Sequence, residues 1–503
     1  MRPRGPALVA ALLWAATAPA CSTSAAARRQ TCTADDTGKI LAVADLDLSR
    51  AGDPIPASFV GFGLEPGELS TFTGGGEAGI NPLFTQLLAN FVPLSGAPTL
   101  RIGGDKQDKA WWVPGPHPAG TDLPVAAADI QALDRAVSPA GVKVIMGLNF
   151  KSADVGLAIA EAKGVLEAMP AAHLLGFEIG NEPDLYPSNG GRGPGWNIGD
   201  YGTELATFAR TLRDAIGPSV PFVGASFSGP FTPSLPQFVA ADAGLLNAVS
   251  LHHYPMSACP GTPPDSSPSI AHLLADEAST GNARTVAPLV RDAHAHGLAL
   301  RIDELNSVVC HGADGVSNTF ASALWILDAL FSYESVGVDG VNVHAHPEGQ
   351  DFYRPFGFDY DAAANVYHAH VYPIYHGLFF FAQAVQHAAR LVPVSMRSTS
   401  NLKVWATIDD QQRVRVVVIS KDAAASGSVI VTGISNTRSA RIVELVADDA
   451  SARSGVLVGG QTFEGTTDGK PVGELSECNV AAAPAGYRIP LSGAMAAMLT
   501  IGP

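Results

Sequence analysis

The chain has 503 residues, more than one small core can organise, so one domain of roughly 250 to 350 residues and a smaller one are expected. Hydrophobic residues make up 47% of the chain and charged residues 16%, a balance that excludes intrinsic disorder because enough apolar surface is available for burial. The formal net charge of −16 repels polyanions, which disfavours nucleic acid and heavily sulfated glycans as main partners. A neutral or lightly charged ligand fits this surface better.

Residues 1–20 have the pattern of a secretory signal peptide. Arg2 and Arg4 precede an apolar segment over 7–18, and small residues follow as far as Ala20. Cleavage after Ala20 and secretion is the favoured interpretation, and lipidation of Cys21, which would anchor the protein at the cell surface, is the alternative. No later segment contains 18 uninterrupted apolar residues, so no membrane span is expected.

Short apolar runs recur from residue 58 to residue 346, each followed by polar residues and a helix-like stretch. They cover 58–63, 97–104, 142–150, 174–182, 220–227, 247–254, 298–306 and 340–346. Continuous hydrophobicity is typical of parallel strands buried on both faces. Such strand and helix units predict an α/β fold, a closed (β/α)8 TIM barrel spanning 56–388. A doubly wound open sheet is the competing architecture, but the Gly-rich stretch near residue 73 lacks a phosphate-binding signature.

Beyond residue 388 the hydrophobic pattern changes to a period of two, which is typical of antiparallel strands. The segments that show it are 401–409, 413–421, 426–434, 439–447 and 494–503. They predict a C-terminal antiparallel β-sandwich domain. The early segment 40–48 alternates in the same way, so the sandwich is expected to combine 31–55 with 389–503.

The chain contains five cysteines. Once Cys21 is removed or lipidated an even number remains, which suits two disulfides outside the cytoplasm. The predicted pairs are Cys259 with Cys310, which follow neighbouring barrel strands six and seven, and Cys32 with Cys478. The alternative is that some of these thiols are free and buried, since sequence alone does not fix the pairing.

Polar residues concentrate at the carboxyl ends of the predicted barrel strands, where a TIM barrel presents its active site. They are Glu65, Arg101, Asp105, Lys106, Asp108, Asn149, Asn181, Glu182, His252, His253, Tyr254, Asp303, Glu304, Asn306, His344 and His346. Glu182 and Glu304 end strands four and seven, which face each other across the mouth. Glycoside hydrolysis needs such a carboxyl pair, and a separation of about 5 to 5.5 Å makes one of them a nucleophile. The alternative is that each glutamate only forms a salt bridge, for example with Arg301 or Lys106.

Several segments in combination resemble family 79 of the glycoside hydrolases, which holds β-glucuronidases and heparanase-like enzymes. The segments are FEIGNEPD, LRIGGDKQD, LHHYP, RIDELNS and GVSNTFASALW. The resemblance spans nearly all of the predicted barrel, whereas NEP alone indicates only the wider clan of retaining barrel glycosidases. It implies a retaining exo-β-glucuronidase that hydrolyses terminal glucuronic acid, or its 4-O-methyl form, from glycans or glycosides.

The resemblance also implies a role for individual residues. Glu182 matches the general acid/base, and Glu304 matches the nucleophile. Asn181 matches the residue that holds the sugar 2-hydroxyl, a contact that strengthens in the transition state. Tyr254 matches a phenol that hydrogen-bonds the nucleophile and keeps it ionised.

A second group of residues matches positions that bind the non-reducing sugar. Glu65, Asp105 and Lys106 match residues that line this subsite. In the family a Tyr after strand eight and backbone amides after strand seven receive the uronate carboxylate, which implies Tyr353 together with His311 and Gly312. Some members carry a further Tyr where this chain has Val309.

Other functions were weighed against this one. Histidines at the mouth could hold a metal, but they more often hydrogen-bond carboxylates, so neither a metal nor another cofactor is expected. An endo-acting heparanase-like glycosidase would need a basic open cleft, whereas this chain is acidic. A retaining barrel β-glycosidase for neutral sugars is a further alternative. A binding protein without catalysis is disfavoured because both glutamates are present, and the expected partner remains a carbohydrate substrate.

Overall fold

The computed structural model describes residues 38–115, 117–347, 351–398, 400–435 and 437–503. The predicted signal peptide, Cys21 and Cys32 lie outside the described residues. Among the described helices, none is both long enough and apolar enough to cross a membrane.

Eight parallel strands close into a barrel in chain order, so that strand eight pairs with both strand seven and strand one. They are Val60–Leu64, Thr99–Ile102, Lys143–Leu148, Leu174–Ile179, Phe222–Phe227, Ala248–His253, Ala299–Leu305 and Gly340–His344. Nearly all of their residues are buried, because the inner face fills the barrel and the outer face meets helices. The predicted barrel is confirmed, and every strand overlaps its predicted apolar run.

Helices surround the barrel, and shorter helices lie within its connecting loops. They are Leu69–Thr73, Pro82–Ala89, Val92–Ser95, Ala127–Val137, Val155–Ala168, Tyr186–Asn189, Ile198–Ile216, Leu235–Asp242, Ile270–Leu273, Thr280–Ala295, Phe320–Glu334 and Pro373–Ala384. Helix Phe320–Glu334 is buried from Phe320 to Tyr333, since it packs between the barrel and the second domain. Such all-round burial requires the apolar composition that this segment has.

Two β-sheets form the predicted sandwich. One contains, in order, Val394–Ser398, Ile40–Leu46, Ser426–Thr432 and Tyr487–Ser492. The other contains Arg390–Val392, Leu402–Ile408, Val414–Ser420, Met495–Ile501, Ala440–Val446 and Leu457–Val458, with Cys478–Val480 beside Ala440–Val446. One pair departs from the antiparallel prediction, because Ile40–Leu46 runs parallel to Ser426–Thr432. The first of these strands precedes the whole barrel, so no hairpin turn dictates its direction.

Short strands add a rim at the carboxyl ends of the barrel strands. Ala110–Val113 pairs with Leu123–Ala126, Met256–Ser257 with Val308–Val309, and Phe356–Asp361 with Val366–Val371. The predicted disulfide between Cys259 and Cys310 is present beside the second of these pairs. Cys478 is also disulfide-bonded, but its predicted partner Cys32 lies outside the described residues, so that pairing stays a prediction.

Candidate active site

Glu182 and Glu304 meet at the mouth of the barrel. A carboxylate oxygen of each lies within 4.8 Å of the other and of a ring nitrogen of His252. The Glu182 side chain is 19% exposed and that of Glu304 is 11% exposed, so both can be reached from solvent. A separation below 4.8 Å is well short of the roughly 6.5 to 9.5 Å of inverting glycosidases and is nearer to the roughly 5 to 5.5 Å of retaining ones.

The backbone at Glu182 is held in an unusual conformation. Glu182 lies in the left-handed region with φ 47° and ψ 52°, directly before Pro183. Its N–H donates to the carbonyl of Ser226 at 3.2 Å, which ties the end of strand four to strand five. A non-glycine residue in this region costs free energy and is found most often where function requires one side-chain direction.

Glu304 lies in an environment that favours its ionised form. Arg101 Nη1 donates to Oε2 at 2.8 Å, and the Tyr254 hydroxyl donates to Oε1 at 2.7 Å. Burial alone would raise the pKa of Glu304, but the surrounding positive charge and the Tyr254 hydrogen bond hold it well below its usual range. Both carboxylate oxygens are therefore oriented and the group is ionised, which are the properties that a carboxylate nucleophile needs.

Glu182 lies in the opposite environment. Burial raises its pKa, and the negative charge of Glu304 raises it further. His252 Nδ1 donates to Glu182 Oε1 at 2.9 Å, which lowers the pKa in part without reversing the shift. The pair thus combines one carboxyl whose pKa is raised with one whose pKa is lowered, as the division between an acid and a nucleophile requires.

The two cations that the sequence offered as salt-bridge partners of Glu182 and Glu304 pair with other carboxylates. Arg301 pairs with Asp303 at 2.7 Å, and Lys106 pairs with Glu68. The cation next to Glu304 is Arg101, which is completely buried and also donates through Nε to Glu178 at 2.7 Å.

Sequence reasoning missed Glu178 and gave Arg101 no role. Each is a charged residue inside an otherwise apolar barrel strand, and Glu178 also accepts a hydrogen bond from the Ser250 hydroxyl at 3.1 Å. A buried charge in the middle of an apolar run was the available signal, because such a charge needs a partner.

Asn181 is 4% exposed and lies next to the carboxyl pair. Its Oδ1 accepts from Arg101 Nη2 at 2.9 Å, and its Nδ2 lies 3.4 Å from Asp105 Oδ1. Arg101 therefore holds Asn181 and Glu304 in one fixed arrangement.

Glu65 and Lys106 lie together on the strand-one side of the mouth. Glu65 Oε2 accepts from the Lys106 N–H at 3.0 Å. Gly104 has φ +111°, and a Cβ there would come within 2.7 Å of Glu65 Oε1, so a larger residue would displace this carboxyl. Burial raises the pKa of Glu65 to about 7. The Lys106 side chain is 39% exposed and can reach a ligand.

The loops after strands seven and eight contact each other at Tyr353. Tyr353 is 5% exposed, and its ring centroid lies 6.1 Å from that of Tyr254. The Gly312 N–H already donates to the Val308 carbonyl at 3.2 Å, and a Cβ at Gly312 would lie 3.0 Å from Tyr353 N. Gly312 thus allows close approach of the two loops. The His311 side chain is 71% exposed and pairs with Asp351.

Other polar residues near the strand ends form structural contacts. The Tyr186 hydroxyl donates to Asp108 Oδ2 at 2.8 Å. Asn149 Nδ2 donates to the Ala110 carbonyl at 3.0 Å. His253 Nδ1 lies 2.6 Å from the Tyr333 hydroxyl. Asp108, Asn149 and His253 thus contact structural partners in these three bonds and not the carboxyls of Glu182 and Glu304.

The chain is similar to known proteins in sequence and in fold. It is 28% identical over 320 residues to a β-glucuronidase of Aspergillus niger, a match that covers 58% of this chain and 59% of that enzyme. A β-glucuronidase of Neurospora crassa is 24% identical over 343 residues, 59% of each chain. The chain thus spans about 59% of the length of these curated relatives. No family model matches it.

Solved structures share the whole architecture. A 4-O-α-L-rhamnosyl-β-D-glucuronidase from Fusarium oxysporum 12S superposes with a TM-score of 0.76 at 20% identity, covering 90% of this chain and 98% of that one. A GH51 arabinofuranosidase from Xanthomonas axonopodis pv. citri superposes with a TM-score of 0.67 at 13% identity, covering 92% of this chain and all of that one. The barrel-plus-sandwich fold is therefore that of known glycoside hydrolases, and the sequence is similar to fungal β-glucuronidases.

Proposed function

We propose that this chain is a retaining exo-β-glucuronidase that removes terminal glucuronic acid, or its 4-O-methyl form, from glycans or glycosides. The observation that carries the proposal is the carboxyl pair, with oxygens of Glu182 and Glu304 within 4.8 Å and with their pKa values shifted in opposite directions. The sequence similarity to the Aspergillus and Neurospora enzymes supports glucuronide as the substrate class.

The reaction has two steps. In the first, Glu182 gives its proton to the glycosidic oxygen while a Glu304 oxygen attacks the anomeric carbon, so that the leaving alcohol departs and a glycosyl ester forms. Esterification removes the negative charge of Glu304, which lowers the pKa of Glu182 and turns it into a base. In the second, Glu182 takes a proton from water, the water oxygen attacks the anomeric carbon, and Glu304 is released with the β configuration retained.

Neighbouring residues prepare the pair for this chemistry. Arg101 and Tyr254 bind the two oxygens of Glu304, which keeps the nucleophile ionised and oriented. Arg101 also fixes Asn181 Oδ1, and with one Nδ2–H directed at Asp105 the other Nδ2–H is left as the donor for the sugar 2-hydroxyl. Since these donors are in place before substrate arrives, little reorganisation is needed in the transition state.

We assign the sugar subsite to the residues around Tyr353. The Tyr353 hydroxyl is the proposed ligand of the uronate carboxylate, with His311 at the exposed edge and Gly312 permitting the close loop contact. Glu65 and Lys106, together with Asp105, are the proposed partners of the remaining hydroxyls. Secretion is part of the proposal, since the Cys259–Cys310 disulfide is typical of proteins outside the cytoplasm.

Activity on a panel of aryl β-glycosides tests the substrate class. Hydrolysis of the glucuronide is expected, with much slower turnover of the glucoside, galactoside and xyloside. Glu304→Gln should lower kcat by at least about 10³-fold, because the neutral amide is a poor nucleophile. Glu477→Gln is the matched control, since Glu477 only pairs with Arg441 at the surface. Unchanged hydrolysis by Glu304→Gln would refute the assignment.

Product analysis tests stereochemistry and mode of action. NMR of the first-formed sugar should show the β anomer, as a double displacement requires. On oligosaccharides ending in glucuronic acid, release of the terminal sugar is expected. Internal cleavage without terminal release would instead indicate the endo-acting alternative.

A further inference from the structure

Strands one and eight, which are neighbours in the barrel, bring three metal-ligating side chains together. Glu65 follows strand one, His344 ends strand eight and His346 lies two residues further on. One ligand atom from each lies within 4.8 Å of the others. The Nε2 atoms of His344 and His346 are 3.1 Å apart, close to the spacing of about 3.3 Å expected for two imidazoles that share a tetrahedral Zn²⁺ at 2.0 to 2.1 Å.

The surroundings of the histidines place a proton on Nδ1 of His346 and leave Nδ1 of His344 without a partner among the described residues. His346 Nδ1 lies 3.2 Å from Glu68 Oε2, a carboxylate–histidine contact of the kind that orients metal ligands. His344 is 2% exposed, and its Nδ1 has no hydrogen-bond partner among the residues that the structure describes. The nearest carboxylate oxygen to that Nδ1 is Glu304 Oε2 at 4.0 Å. With the His346 proton on Nδ1, the 3.1 Å contact is a hydrogen bond from Nε2–H of His344 to the Nε2 lone pair of His346.

A divalent cation can take the place of the proton between the two Nε2 atoms, with His344 then carrying its proton on Nδ1. Glu65 adds a carboxylate to the same space and is only 4% exposed. Two imidazoles and one carboxylate are donors that suit zinc-class ions, and three protein ligands leave an open coordination position. We propose that Glu65, His344 and His346 form a binding site for a divalent transition-metal ion such as Zn²⁺.

A second group of possible ligands, Glu182, His252 and Glu304, is equally compact. Most of its ligand atoms already have partners, since Arg101 and Tyr254 donate to the oxygens of Glu304 and His252 Nδ1 donates to Glu182, whereas His252 Nε2 has none among the described residues. A metal there would have to displace a buried guanidinium. The group on strands one and eight is therefore the better site.

The ion would lie beside Glu304, in the subsite assigned to the sugar. On the proposed function, it would compete with the glycoside and inhibit hydrolysis reversibly. This consequence depends on the enzyme assignment, but metal binding itself does not, so the two can fail separately.

Metal binding is measured without substrate, on the full-length protein after dialysis against a chelator. Titration with Zn²⁺ in a calorimeter should show one ion per chain and a rise in Tm. His346→Gln should weaken binding at least about tenfold, and Glu68→Gln, which alters the outer contact to His346 and also the ion pair with Lys106, about 10- to 100-fold. His370→Gln is the matched control, because it removes an exposed histidine from a 2.8 Å contact with Asp359 and should change nothing.

X-ray absorption of the zinc-loaded wild-type protein gives a readout that does not depend on the variants folding. Two imidazole ligands at about 2.0 to 2.1 Å are expected. A spectrum without imidazole, the absence of saturable binding, or equal binding by His346→Gln and the wild type would each overturn the proposal. Loss of binding in His370→Gln would instead assign the ion to the exposed hairpin of strands Phe356–Asp361 and Val366–Val371.

Discussion

The protonation states of Glu182 and Glu304 determine the pH range in which the proposed reaction can occur. Burial and the charge of Glu304 raise the pKa of Glu182. The pKa of Glu304 is lowered, since its positive surroundings and Tyr254 outweigh its burial. The form with Glu182 protonated and Glu304 ionised therefore exists between the two pKa values.

This difference predicts the shape of the pH profile for an aryl glucuronide. On the acidic side kcat/KM should stay nearly flat, because Glu304 remains ionised well below the usual range of a glutamate. As pH rises through the raised pKa of Glu182, kcat/KM should fall with a limiting slope of about −1 as the acid loses its proton. A profile that rises steadily from acidic to alkaline pH would contradict these assignments.

The disulfide between Cys259 and Cys310 determines how two rim loops are held. Tyr254 precedes Cys259, and Glu304 precedes Cys310, so both loops begin at residues of the proposed site. The bond joins positions 51 residues apart, and the chain-entropy relation gives about 4 kcal/mol for closing such a loop. Strands Met256–Ser257 and Val308–Val309 add only a short ladder beside it.

The Cys259→Ser/Cys310→Ser double variant should lose about 2 to 4 kcal/mol of unfolding free energy in urea denaturation. KM for the glucuronide should rise more than kcat falls, because the loops support the sugar subsite while Arg101 still holds Glu304. The double variant is a better test than a reductant, which would also attack the bond of Cys478. An unchanged urea midpoint and KM would show that the loops are held without the bond.

How much the sequence could predict differed between elements. Barrel strands were predictable because burial on both faces leaves a continuous apolar run, as in Lys143–Leu148. The strand Tyr487–Ser492 was missed although it alternates with a period of two, since Pro490 inside the run argues against a strand. The proximity of Glu182 and Glu304 was predictable because both lie at the carboxyl ends of strands, but the buried contact from Arg101 to Glu178 becomes evident only when the barrel closes.

At the scale of the whole molecule, a buried ion pair joins the barrel helix Phe320–Glu334 to the sandwich. Lys421 Nζ lies 2.6 Å from Asp328 Oδ2, and both side chains are fully buried. Trp405 Nε1 donates to Asp328 Oδ1 at 2.7 Å, and the Ser279 hydroxyl donates to Oδ2. Burial alone would raise the pKa of Asp328, but Lys421 and the Ser279 hydrogen bond lower it. Loss of one partner would leave an uncompensated charge at the domain contact.

Lys421→Met should therefore lower the unfolding free energy by about 3 to 5 kcal/mol at neutral pH. The control is Arg441→Ala, which removes an exposed pair with Glu477 and should cost less than about 1 kcal/mol. Adding Asp328→Asn to Lys421→Met should recover part of the loss, because neither charge is then buried alone.

The difference in unfolding free energy between the wild type and Lys421→Met should depend on pH, because the pKa of Asp328 is lowered in the folded protein. In the wild type the carboxylate contributes stability that is present above its unfolded pKa of about 3.9 and is lost as pH falls through the lower folded value. The advantage of the wild type over Lys421→Met should therefore shrink in acid, where the isolated carboxyl of the variant can be protonated. Urea denaturation at neutral and acidic pH measures it, and a difference that grew in acid would show that Asp328 is not the group that Lys421 stabilises.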